Sequence, residues 1–215
     1  GLEKLLAETG MHGSSIDVVL HATTVATNAV LERKGAKTGL ITTLGFRDVL
    51  IIGRQKRYET YDMYIDKPEP LIARRHIAEV IERVAPDGSV VTSLDPSSVN
   101  RAIEAMLEAG RDTVAVSLLH AYANAEHERQ IREQFLKCAP KLLVSISSEV
   151  SPKFREYERT NTTVTNAYVK PIVDRYLRHL DEALAARGIR NDLFVMQSNG
   201  GLISPDLARE FPVRI

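Results

Sequence analysis

His21, Thr23, Thr24, Thr27 and Asn28 crowd together just after a short apolar run, Ile16, Val18, Val19 and Leu20. An imidazole, three hydroxyls and a carboxamide at this spacing can surround a carbonyl or an anion. Two roles fit them. They can line the mouth of a sheet, where α/β proteins place ligands, with the N–H groups of a helix start beside them. Or the threonines only cap the helix and His21 is a hydrogen-bonded strand-end residue. A second cluster is Arg54, Gln55, Lys56, Arg57 and Tyr58. The guanidinium of Arg54 offers a fixed fork of donors for an anionic or carbonyl oxygen; the alternative is a solvated surface loop. A third is Glu158, Arg159 and Asn161, in a stretch rich in Thr and Asn. His120, His127 and Glu128 carry metal-type donors, but their spacing matches no specific metal motif, so structural histidines are the competing reading. Last come Ser198, Asn199, Gly200 and Gly201, where paired glycines let a backbone approach a ligand closely.

Elements must hold these groups in place. Residues 16–20 read as a buried strand. A helix capped by Thr23 or Thr24 follows, turning Val25, Ala29 and Val30 to a core and closing at Lys34, with Gly35 as its C′ residue. A strand over 38–43 completes a βαβ unit. The two strands are expected to pair in parallel within one α/β domain over 1–146 that also holds a strand at 113–119. Residues 46–52 read as a short helix. Residues 61–72, with Pro68 and Pro70, read as extended. Residues 76–84 and 89–94 read as a hairpin around Pro86-Asp87-Gly88.

Asp95 and Pro96 open a helix that Gly110 ends. The strand at 113–119 is apolar throughout, as when both faces are covered. A further strand is expected at 142–146, and 147–152 reads as a linker, so a second domain is placed at 151–215. The Thr- and Asn-rich helix after it is poor by propensity. That points either to a buried polar site or to a face packed through hydroxyls. Pro171 is expected to interrupt and restart this helix. Ile172, Val173, Tyr176, Leu177, Leu180 and Leu184 then form an amphipathic stripe. A strand at 193–196 leads to the paired glycines.

Composition narrows the function classes. The chain has 215 residues, with 28 basic and 28 acidic side chains and a net charge of +0. Nothing in that balance points to nucleic acid or an anionic membrane as a partner. No apolar run nears the roughly 20 residues that span a bilayer. No signal-peptide pattern opens the chain. The single Cys138 excludes an internal disulfide and fits a cytoplasmic location. The chain starts inside a helix-like stretch and stops at Pro212-Val213-Arg214-Ile215, which suggests an internal piece of a longer polypeptide.

Three segments carry a resemblance. HATTVATNAVLERKGAKTGLITTLGFRDVLIIGRQ, over 21–55, resembles the HGTT-x-x-TN…GF-x-D…IGRQ signature of the hydantoinase A / 5-oxoprolinase family, which includes acetone and acetophenone carboxylase subunits. Ala22 stands where that family usually has Gly. Residues 154–169 are similar to its E-(Y/F)-ER…TT…NAY segment, and residues 196–201 to its MQSNGG. A His-x-Tyr-x-x-x-x-His-Glu segment, 120–128, is also shared.

The resemblance implies an actin/Hsp70/sugar-kinase-like α/β fold, only part of it present. It implies ATP and Mg²⁺ as cofactors, and opening of a cyclic amide after phosphorylation of its carbonyl oxygen. The alternatives are a carboxylase subunit acting on a ketone, or a non-catalytic interaction subunit. A hydantoinase B-type partner is implied too. His21, Thr23, Thr24, Asn28, Arg54, Glu158, Arg159 and Asn161 become substrate-binding candidates, expected to converge on one cleft. Ser198, Asn199, Gly200 and Gly201 become nucleotide-side candidates. The family's DxGGTFTD-type phosphate loop and its second glycine-rich nucleotide segment are found nowhere in the chain, so the chain alone is expected to be inactive.

Overall fold

The computed structural model describes residues 2–55, 61, 64, 68–189 and 192–215. The chain divides into two compact units, residues 35–168 and residues 1–34 with 169–215.

The first of these units, residues 35–168, holds a four-stranded sheet. Its strands are β2 (Thr38–Thr43), β3 (Ile77–Val80), β6 (Thr113–Ser117) and β7 (Leu143–Ile146). Their order is β3-β2-β6-β7 and every pair is parallel. β1 (Val18–His21) is not among them. It pairs in parallel with β8 (Asp192–Met196) in another sheet, of order β1-β8-β9, with β9 (Leu202–Ile203) antiparallel to β8. The expected pairing of β1 with β2 is therefore corrected. Local strand–helix–strand pattern specifies the elements; it does not specify which distant strand lies beside which.

Alternation along the strands of the larger sheet sorts two cores. Ile41, Val80, Val114 and Val116 face α4 (Pro96–Glu108) and α5 (Glu126–Cys138), meeting Val99, Ile103, Met106, Ile131 and Phe135. Leu40, Ile77 and Ala115 face the other way, meeting Leu50 of α3 (Val49–Ile52) and Val164 and Ala167 of α7 (Glu156–Ala185). Both faces are covered, as the continuous apolar strands predict. The expected hairpin is smaller than its sequence signal. Only β4 (Arg83–Val84) and β5 (Val90–Thr92) pair antiparallel, while β3 joins the parallel sheet.

Residues 147–150 are not a linker. They form a helical turn, α6 (Ser147–Val150), with Ser147 and Val150 buried. α7 runs unbroken through Pro171. The proline forfeits one hydrogen bond to the carbonyl four residues back, and a helix of 30 residues with buried Val164, Ala167, Val173 and Leu177 absorbs that loss. Part of the expected 61–72 extended run, and Lys56, Arg57 and Tyr58 of the basic cluster, lie outside the described residues.

The unit of residues 1–34 and 169–215 carries α1 (Leu2–Thr9), β1, α2 (Val25–Leu31), β8, β9 and α8 (Pro205–Glu210). Leu184, Ile189 and Leu193 pack with Ile16, Val19 and Leu180. α2 closes differently from expectation. Lys34 N–H bonds to the Ala29 carbonyl and Arg33 N–H to the Val30 carbonyl. With Arg33 at φ 55, this is a Schellman closure whose left-handed residue is Arg33, not Gly35. Gly35 belongs to the other unit. A Cβ there would stand 1.9 Å from the Tyr168 ring, so packing fixes that glycine.

Candidate functional site

β1 ends at His21, and Tyr176 of α7 meets its ring. Tyr176 Oη and His21 Nε2 lie 2.8 Å apart, and the ring centroids 5.6 Å apart. Burial lowers the His21 pKa, favouring the neutral imidazole whose tautomer the Tyr176 contact helps set. Val25 N–H donates to Thr23 Oγ1 at 3.3 Å, and Asn28 Nδ2 donates to Thr24 Oγ1 at 3.3 Å. Thr23 thus serves the start of α2, while Thr24 and Asn28 form an exposed pair on its surface. His21, Thr23, Thr24 and Asn28 therefore share the carboxyl end of β1 and the first turns of α2. Sequence reading had placed Tyr176 only in an amphipathic stripe. Its distance from His21 in the chain left no local signal.

The loop beyond β2 and α3 carries Arg54, whose guanidinium pairs with Glu158 in the first turn of α7. Both side chains are partly exposed. Burial pushes the Glu158 carboxyl up, but its own backbone N–H, the Arg54 hydrogen bond and the charges of Arg54 and Arg155 outweigh this and hold it below the ordinary value. Asn161 lies exposed one turn further along the same helix face. Backbone strain gathers beside this pair: Gln55 has φ 51 and Arg155 φ 84. Non-glycine residues in that region cluster at functional loops.

Arg159 does not join that face. It is fully buried, with Nη1 donating to Ser147 Oγ at 2.6 Å and Nη2 to the Leu118 carbonyl at 2.7 Å, and it pairs with Glu156. This corrects its expected contact with substrate: a helix places consecutive side chains about 100° apart, so Glu158 faces out and Arg159 faces in. The Thr- and Asn-rich inner face is explained by packing through hydroxyls. Thr163 donates to the carbonyl four residues back, Thr160 meets Ser117 at 2.8 Å, and Asn166 donates to Ser145 at 3.1 Å.

The metal-type donors are likewise turned to protein partners. His120 Nδ1 meets the Val84 carbonyl, and His127 Nδ1 meets Glu82, each at 2.8 Å. Glu128 accepts from Leu118 N–H, Ser147 Oγ and Ser148 N–H. Among the described residues, no three His, Cys, Asp or Glu side chains are grouped to hold a metal ion.

Ser198, Asn199, Gly200 and Gly201 form the turn between β8 and β9. Gly200 has φ 85, with open space where a Cβ would stand. Most backbone donors of the turn are spent. Gly200 N–H bonds to the Gln197 carbonyl, Gly201 N–H to Asn199 Oδ1 and Ser198 N–H to the Arg214 carbonyl. The turn is therefore no ready-made phosphate cradle; it offers side chains and an open glycine.

A mixed α/β protein with parallel sheets, carrying polar side chains just past its strand ends, belongs to a class that binds small molecules there. Residues 1–138 match the hydantoinase/oxoprolinase N-terminal region, and residues 159–215 the hydantoinase/oxoprolinase model. The chain belongs to the hydantoinase/oxoprolinase family. Caprolactamase subunit alpha of Pseudomonas jessenii is 34% identical over 197 residues, covering 90% of this chain and 28% of that protein. The acetophenone carboxylase gamma subunit of Aromatoleum aromaticum is 33% identical over 199 residues, covering 86% of this chain and 27% of that protein. The crystal structure of the ATP-dependent caprolactamase from Pseudomonas jessenii superposes with a TM-score of 0.89 at 30% identity, over 100% of this chain and 33% of that one. The chain thus spans less than a third of the curated relatives it matches. No helix among the described residues is long and apolar enough to cross a membrane.

Proposed function

We propose that this chain is part of an ATP-dependent amidohydrolase of the actin/Hsp70/sugar-kinase-like fold that opens a cyclic amide. One observation carries the reading. The Arg54–Glu158 pair joins two family-like segments 104 residues apart in sequence and keeps them accessible at one surface. ATP with Mg²⁺ would supply the phosphoryl group that turns the amide oxygen into a leaving group before water attacks the carbon. Ser198, Asn199 and the open side of Gly200 are what this chain offers the nucleotide.

In this reading Arg54 donates to the amide oxygen as charge develops there, with Glu158 orienting its fork. In the other unit, neutral His21, held by Tyr176, with Thr23, Thr24 and Asn28, forms a second group of substrate-binding candidates able to accept or return a proton at the imidazole. A hydantoinase B-type subunit is the implied partner, and the chain alone lacks ATPase activity.

The similarity to the acetophenone carboxylase subunit favours one second reading, activation of a ketone for carboxylation. The test is ATP hydrolysis by a polypeptide of the relatives' full length carrying this chain, with hydantoin, 5-oxoproline, caprolactam, or acetone plus bicarbonate. Stimulation by a cyclic amide is expected. Stimulation by the ketone and bicarbonate alone would replace the first reading with the second, and stimulation by none of them would favour a non-catalytic interaction subunit.

A further inference from the structure

Arg159 is the largest fully buried side chain among the described residues. Burying a guanidinium is costly unless its donors are met. Here Nη1 and Nη2 are met by three segments, while Nε has no hydrogen-bond partner. Ser147 Oγ of α6 accepts from Nη1, the Leu118 carbonyl just past β6 accepts from Nη2, and Glu156 closes the contact from one helical turn back. The same segments also grip a buried carboxylate. Glu128, near the start of α5, accepts from Leu118 N–H at 3.0 Å, from Ser147 Oγ at 2.6 Å and from Ser148 N–H at 2.8 Å. Leu118 therefore gives its carbonyl to the cation and its N–H to the anion. Ser147 accepts from one and donates to the other. The result ties the end of β6, α5, α6 and the first turn of α7 into one knot.

Glu158 is the next residue along the chain from this knot, and points outward to Arg54. We propose that Arg159 is a positioning residue. Its guanidinium fixes the first turn of α7 so that Glu158 holds Arg54 in the orientation that grips substrate. This rests on the reading of Arg54 and Glu158 given above. The planar fork is the essential property, because a lysine ammonium carries the charge but cannot reach Ser147, Leu118 and Glu156 from one fixed plane.

The test has two arms. Amide hydrogen exchange is measured on this chain with Arg159→Lys and, separately, Ser147→Ala, which keeps both buried charges. Exchange at residues 160–163, the amides that close the first turn of α7, is expected to accelerate at least tenfold in both variants, with β2 and β6 unchanged. The second arm is a double-mutant cycle on kcat/KM in the full-length protein. If Arg159 acts through the pair, Arg54→Ala with Arg159→Lys loses no more than Arg54→Ala alone. Unchanged exchange at 160–163 in both variants, or additive losses in the cycle, overturns the proposal. If Arg54→Ala alone keeps wild-type kcat/KM, the reading of the site fails instead, and the exchange arm still judges the clamp.

Discussion

The two units place polar residues at the carboxyl ends of their strands in opposite ways. Beyond β2 and β6 these groups are buried and, Arg159 Nε apart, hydrogen-bonded. Thr43 accepts from Leu119 N–H at 2.9 Å and donates to Glu82, Glu82 meets His127, and Glu128 and Arg159 share Ser147 and Leu118. Beyond β1 they are sparse and partly open. His21 meets Tyr176, and Thr24 and Asn28 bond only weakly to each other at 3.3 Å. The strand order β3-β2-β6-β7 reverses direction of growth between β2 and β6, the position where open α/β sheets commonly take a ligand. In this protein that position is filled by the chain's own polar groups. The lesson is that a polar residue at a strand end marks a site only where its bonding capacity is left over.

The largest expected effect breaks the buried edge. Glu128→Ala removes the buried carboxylate that shares Ser147 and Leu118 with Arg159 and orphans the N–H groups of Leu118 and Ser148. A stability loss of about 3–5 kcal/mol is expected from denaturant unfolding. A loss of under roughly 1 kcal/mol would show that the knot is not what holds this edge.

The partly exposed groups of each unit should respond in activity instead. His21→Ala and Arg54→Ala are each expected to lower kcat/KM of the full-length protein more than roughly tenfold, or about 1.4 kcal/mol of transition-state stabilisation. Their melting temperatures should stay near that of the parent. Wild-type turnover in both would make these groups as structural as the buried ones.

The rim between these extremes is Glu158, whose carboxyl is held below its ordinary value in the folded protein. A depressed carboxylate stabilises the fold above the ordinary pKa, and that contribution disappears as pH falls through the folded value. The difference in melting temperature between parent and Glu158→Gln should therefore be present at neutral pH and shrink in acid. A difference that grows in acid would reverse the assignment. Smallest of all, Thr24→Val removes one exposed bond and should change stability by less than roughly 0.5 kcal/mol, measured by thermal melting.

What the sequence made legible follows its local character. The strands at 38–43 and 113–117, the Asp95 cap, which accepts from Ser97 and Ser98 N–H, and the motif residues His21 and Arg54 were readable because cap chemistry and apolar runs act over a few residues. The partner of β1 was not, since pairing is decided by sheet order far along the chain. Arg159 looked like a ligand-binding residue because its neighbours do. Its burial depends on Ser147 and Leu118, which no spacing rule brings to it. Gly35 looked like a helix stop, while the need for a glycine there comes from Tyr168, 133 positions later in the numbering. Tyr176 escaped notice for the same reason.

The pairing of β1 with β8 also bears on how the protein is made. On the ribosome β1 emerges well before β8, the strand it pairs with. Its partner is assembled only after all of residues 35–168 has been synthesised. The unit of residues 35–168 can complete its sheet while β1 waits, and the loop that must close to bring β1 to β8 contains that whole unit, although closure cost grows only logarithmically with length. During that interval Val18 and Leu20, still half-exposed in the finished fold, stand on an unpaired strand edge. The unit bearing His21 is thus completed after the unit of residues 35–168, and its waiting strand is exposed to wrong partners on the way.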